Sequence, residues 1–134
     1  MANERAARRH GLIPRAGVVA TAVAGVAPGV MGVPAVHNVL ALAGLSLQQI
    51  DIIEWNEAFA AQVLAVLRLL GLPDDAAHVN ADGGVIALGH PLGASGARLL
   101  ATAVRQLHRG GGRYGLCTMC IGVDQGIATV LERV

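Results

Sequence analysis

The chain has 134 residues, 54% of them apolar and 14% charged, with a net charge of +1. That balance describes one globular domain, excludes a disordered chain, and gives no electrostatic grip on nucleic acid or on an anionic membrane. All ten basic residues are arginine, so Schiff-base catalysis and a P-loop lysine are excluded as well.

In chain order, residues 2–11 ("ANERAARRHG") predict a short polar helix ending at Gly11. The uncharged run between Arg15 and His37 has the outline of a secretory signal, but it is weakly apolar and broken by Pro28 and Pro34. Ala16 to Ala24 suits a buried strand better, with a Gly/Pro loop following through Val33. Pro34 can open a helix that Gly44 closes, and Ser46 with Gln49 forms a weak capping-box signal. "IDIIEW" (50–55) reads as a strand, and "NEAFAAQVLAVLRLLG" (56–71) as a largely buried helix with Asn56 at its N-cap and Glu57 favoured by the positive helix end. A Gly-rich loop, 80–93, leads to a second helix over about 94–109, which the triple glycine at 110–112 ends. "RYGLCTMC" and "GIATVLERV" are two strands joined by a turn around Gly122 to Gly126. The alternation predicts a layered α/β domain with a mixed sheet of about five strands and helices on both faces. Residues 1–15 form an N-terminal helix and linker, and 16–134 the domain proper.

Two cysteines do not make a disulfide framework, so a reducing cytoplasm is the expected setting. Cys117 and Cys120 lack the further ligands of a zinc site, so no metal is expected, and residues three apart on a strand point to opposite faces. Two small buried hydrophobes is the ordinary reading, but Cys120 lies at the strand end beside the backbone N–H of Gly122. His90, in "GVIALGHPLGASGA", sits among glycines without a polar neighbour, whereas His10, His78 and His108 lie in polar surroundings and His37 on a short helix suits packing. Asn56 needs no more than its capping role.

Taken together, "NEAFAAQ", "GHPLGASGAR" and "CIGVDQG" resemble, in order and separation, the C-terminal half of the thiolases, which make or cleave 3-oxoacyl-CoA thioesters. The likeness runs from about Pro14 to the end, and "CTMCIG" is similar to the 3-oxoadipyl-CoA branch. It implies that Cys120 is the acid/base at the α-carbon of acetyl-CoA. His90 would activate the nucleophilic cysteine and donate to a thioester oxygen, Asn56 would hold the water completing that oxyanion hole, and the Gly122 N–H would serve a second hole. Cys117 would be a packing residue. No bound cofactor is implied, with coenzyme A thioesters as substrates. A thiolase N-terminal half or another thiolase subunit is the implied partner, in a homo- or hetero-oligomer.

Three departures stand out. The family's half bearing the acyl-accepting cysteine is absent, so the chain alone should be inactive, or else be a non-catalytic module that binds thiolase subunits. "VMGVPAV" (30–36) is shorter than the family's stretch there, and Asp82 and Asp124 stand where Asn and Gly are usual. Asp82 is expected to bring negative charge near the His90 loop, and Asp124 a side chain into the turn after Cys120.

Overall fold

The computed structural model describes residues 1–25 and 32–134. Part of the Gly/Pro loop and the start of "VMGVPAV" therefore lie outside the described residues. A polar helix α1 (Glu4–Arg9) opens the chain, with Asn3 Oδ1 accepting the Ala6 N–H at 2.8 Å. Strand β1 (Ala16–Gly25) follows and pairs antiparallel with β4 (Gln125–Arg133). Helix α2 (Val33–Ala43) carries Pro34 in its first turn and ends on Gly44, left-handed at φ 65°. Gln49 Oε1 accepts the Ser46 N–H at 2.8 Å, which fixes the one-turn 3₁₀ helix Leu47–Gln49.

Strand β2 (Ile52–Trp55) runs parallel to β3 (Tyr114–Cys120), and β3 is antiparallel to β4. The sheet order is β1-β4-β3-β2, and one parallel bridge from Ile53 to Val79 continues it past β2. Four strands and that bridge meet the expectation of a mixed sheet of about five.

Side-chain alternation divides the interior in two. On one face, α2 and α3 (Ala60–Leu69) bury Val36, Val39, Val66 and Leu67 against Ile53, Leu116 and Val130. On the other, α5 (Ser95–Gly110) buries Leu99 and Ala103 against Cys117 and Leu131.

Several expectations are corrected. The segment 16–24, expected as a buried strand, lies at the sheet edge within β1 and is mostly exposed, with Ala22 alone of its residues buried. The helix expected from Asn56 begins only at Ala60, with Phe59 in the cap position, because Asn56 is held by β3 and Glu57 by the 80–86 loop. It is also less buried than expected, with Val63, Val66 and Leu67 inside and Phe59 and Leu69 exposed. The loop 80–93 contains a short helix, α4 (Val85–Leu88).

β1, β2 and β3 all end at the same edge of the sheet, where α2 and α5 begin. Carboxyl ends of strands meeting helix N-termini are where open α/β sheets leave a crevice.

Candidate active site

β3 separates its two cysteines as alternation requires. Cys117 is buried in the α5 cluster, where desolvation first and the nearby Glu54 second push its thiol up to about 12. A thiol so disfavoured as thiolate is a packing group. Cys120 ends the strand and is half-buried. The turn after it holds Gly122, Val123 and Asp124 at φ 83°, 44° and 53°. Left-handed backbone is costly for the β-branched Val123 and milder for Asp124, so this turn stores strain beside Cys120.

Asn56 follows β2 directly, and its N–H donates to Thr118 O on β3 at 3.0 Å. Its side chain is 1% exposed, and neither Oδ1 nor Nδ2 has a hydrogen-bond partner among the described residues. It caps no helix. A buried amide with neither end satisfied costs several kcal/mol, roughly 2–6 for the pair of groups, so capping cannot account for it.

His90 has the polar neighbour the sequence did not reveal. Nδ1 lies 2.7 Å from Ser95 Oγ, and that hydroxyl donates to Pro91 O at 3.2 Å. When the hydroxyl proton goes to Pro91 O, Ser95 Oγ accepts from Nδ1–H, and the lone pair of a neutral ring is then on Nε2. Ser95 is the first residue of α5 and fully buried. The next residue, Gly96, faces the residue before Cys120: a β-carbon built on it would sit 3.5 Å from Met119 Sδ. Asn56 and Cys120 thus lie at the same end of the sheet, and Ser95 ties His90 to the α5 N-terminus that meets that end, with no hydrogen bond joining the three side chains among the described residues.

The other histidines differ in part from expectation. His37 is exposed, so it does not pack, and His108 Nε2 is tied to Arg15 O at 2.8 Å. Asp82 does not leave bare charge near His90, because its carboxylate pairs with Arg109 at 2.5 Å, which holds it below the usual carboxylate range.

Under α5 lies a buried polar set that sequence reasoning passed over. Gln106 Nε2 donates to Glu54 Oε1 at 2.9 Å, while Glu54 Oε2 and all three Arg98 guanidinium nitrogens are buried without a hydrogen-bond partner among the described residues. Burial raises the Glu54 carboxyl to about 7 against the opposing pull of Gln106 and Arg98. Also passed over were Ser95 and Asn80, and the sequence marks Glu57 only as suiting a helix N-terminus that in fact begins at Ala60. Glu57 accepts from Asn80 Nδ2 and from the Ile86 N–H, both at 3.0 Å. Nothing local marked Ser95 or Asn80. No group of three or more His, Cys, Asp or Glu among the described residues forms a metal site.

Residues 12–133 match the family model described as thiolase, C-terminal domain. The 3-oxoadipyl-CoA/3-oxo-5,6-dehydrosuberyl-CoA thiolase of Escherichia coli K12 is 64% identical over 100% of this chain and 34% of its own length. The β-ketoadipyl-CoA thiolase of Pseudomonas putida is 57% identical over the same shares. Among solved structures, human mitochondrial 3-ketoacyl-CoA thiolase superposes with a TM-score of 0.92 at 46% identity, covering 99% of this chain and 34% of that one. The Bacillus anthracis acetyl-CoA acetyltransferase gives 0.90 at 40% identity, covering 98% and 34%. The chain spans about a third of the length of these relatives.

Proposed function

We propose a function on one premise: the chain belongs to the thiolase family, as its C-terminal domain. The proposal is that it supplies the acid/base and one oxyanion hole for making or cleaving 3-oxoacyl-CoA thioesters, and that turnover needs an N-terminal half carrying the acyl-accepting cysteine. Relatives named for β-ketoadipyl-CoA make a 3-oxo dicarboxylic acyl-CoA the first substrate to try.

The observation that carries this reading is Asn56, buried with both ends of its amide unsatisfied, at the end of the sheet where Cys120 lies and where Ser95 ties His90 to the α5 N-terminus. In the proposed cycle, His90 Nε2 takes the proton of the nucleophilic cysteine carried by the N-terminal half. Once protonated, the same nitrogen donates to the thioester oxygen, beside the water held by Asn56. The enolate formed at the α-carbon is then stabilised by donors already in position, worth roughly 3 kcal/mol each. Cys120 Sγ removes or returns the α-proton. The Gly122 N–H faces the oxygen of the acyl-enzyme.

The test is a thiolysis assay on 3-oxoadipyl-CoA, with and without a matching thiolase N-terminal half. The pair is expected to turn over and the single chain not. Within the pair, Cys120→Ala, His90→Ala and Asn56→Ala should each lower kcat by roughly 10²-fold or more. Turnover by this chain alone would overturn the need for a second half.

A second reading, a non-catalytic module that binds thiolase subunits, draws on a largely apolar groove between residues 1–18 and α5, lined by Leu12, Ile13, Leu100 and Val104 with Glu4 and Arg15 also on its walls. It gains support if Cys120→Ala leaves the protein's cellular role intact.

A further inference from the structure

We infer that Asn80 is a positioning residue, which together with the Glu57 carboxylate locks Asn56 to the segment carrying His90. The inference rests on the thiolase reading of Asn56 and His90 and adds two residues that act through them. Asn80 brackets Asn56 from both sides. Its Oδ1 accepts the Trp55 N–H at 2.7 Å, and its Nδ2 donates to Trp55 O and to Glu57 Oε1, each at 3.0 Å. Its own N–H donates to Ile53 O at 2.8 Å. The residue before Asn56 is thus held by its backbone and the residue after it by its side chain, while the Asn56 side-chain amide makes no hydrogen bond among the described residues.

From Glu57 the chain of contacts continues to the His90 segment. Glu57 Oε2 accepts the Ile86 N–H at 3.0 Å, and Ile86 lies in α4, which leads directly to Gly89 and His90. The fit is close: a β-carbon on Gly84 would lie 2.3 Å from the Glu57 carboxyl carbon, so only glycine lets the loop backbone come this near. Asn80 stands at φ 47°, a left-handed position that Asn tolerates better than most residues. Only an amide satisfies all three contacts. It must accept at Trp55 N–H and donate at Trp55 O and Glu57, whereas an aspartate would set a second carboxylate against Glu57. One carboxylate and one amide therefore fix the spacing of two groups that must meet the same thioester oxygen, where a displacement of about 1 Å costs on the order of 10²-fold in rate.

The experiment pairs the chain with a matching N-terminal half and compares Asn80→Asp, Asn80→Ala, Glu57→Ala and Glu57→Gln. Asn80→Asp and Glu57→Ala should lower kcat by roughly 10²-fold with KM changed by less than about threefold. Glu57→Gln, which keeps one of the two acceptor oxygens, should fall between Glu57→Ala and the parent. The Glu57→Ala/Asn80→Ala double variant should lose little more than the worse single one, because the two act as a unit. A second readout needs no turnover. Hydrogen exchange at the Ile86 amide should speed up at least about tenfold in Asn80→Ala, although Asn80 does not touch Ile86. If the unmodified pair does not cleave 3-oxoacyl-CoA, the thiolase reading fails, and Ile86 exchange alone then decides the clamp. Parental kcat in the folded, near-isosteric Asn80→Asp overturns the inference, as does unchanged Ile86 exchange in Asn80→Ala.

Discussion

The two faces of the sheet are closed to different degrees. Beneath α2 and α3 the interior is aliphatic: Val36, Val39, Ile53, Val66, Leu116 and Val130 are all fully buried in one cluster. Beneath α5 the apolar set is small, and it shares the space with Glu54, Gln106 and the Arg98 guanidinium, which has no hydrogen-bond partner among the described residues. Beyond α5 the surface is still largely apolar, with Leu100 and Val104 lining the groove against residues 1–18. The first face is completed by the chain's own helices. On the proposed reading, the second is the side on which the other thiolase half packs, and its polar groups and open groove are the marks of an interior only half enclosed.

Core truncation gives the largest contrast between the faces. Leu116→Ala should cost about 3 kcal/mol, within the roughly 2–5 kcal/mol range for a fully enclosed leucine, because nothing can move into the space it leaves. Leu100→Ala, at a half-open site, should cost less than about 1 kcal/mol. Urea unfolding of the two variants measures the difference, and equal losses would erase the distinction between a closed face and an open one.

The pH dependence of stability tests the polar half of the contrast. Glu54 titrates near 7 in the folded chain against 4.5 when exposed, so folding favours its protonated form. Its contribution is fully present below about pH 4.5 and is lost as pH rises to about 7, by at most about 3 kcal/mol. Urea midpoints should therefore fall between pH 5 and 7.5, and Glu54→Gln should flatten that slope. A parental slope in Glu54→Gln would assign the pH dependence elsewhere.

Much of the fold was legible because local rules decided it. Pro34 and Gly44 bounded α2, the triple glycine ended α5, and the opposite faces of Cys117 and Cys120 followed from strand alternation. Asn56 failed as a helix cap because Thr118 on β3 and Asn80 on the loop, both remote in sequence, outcompete the helix for residues 55–57. His90 read as isolated because its partner Ser95 comes within reach only when Pro91 and the first turn of α5 fold the chain back. The cluster of Glu54, Gln106 and Arg98 escaped notice for the same reason. Its members lie up to 52 positions apart along the chain, and periodicity reports which face a residue occupies but not what meets it there.

The smallest effect on stability should come from the outer surface of α5, and there the comparison of faces becomes a statement about partners. Ala101 is exposed on that surface, so Ala101→Glu removes no packing and should change the unfolding free energy by no more than about 0.5 kcal/mol. Placed in a largely apolar groove, however, the same carboxylate would have to be desolvated by anything that docks there, at a cost of several kcal/mol. Sedimentation velocity should show the parent chain binding a thiolase N-terminal half and Ala101→Glu failing to do so, with its stability intact. An enclosed face would respond in the opposite way, with a large loss of stability and no separate effect on assembly. If Ala101→Glu assembles as the parent does, the groove is ordinary surface, and the incompleteness of this face must lie in the buried polar set of Glu54, Gln106 and Arg98 alone.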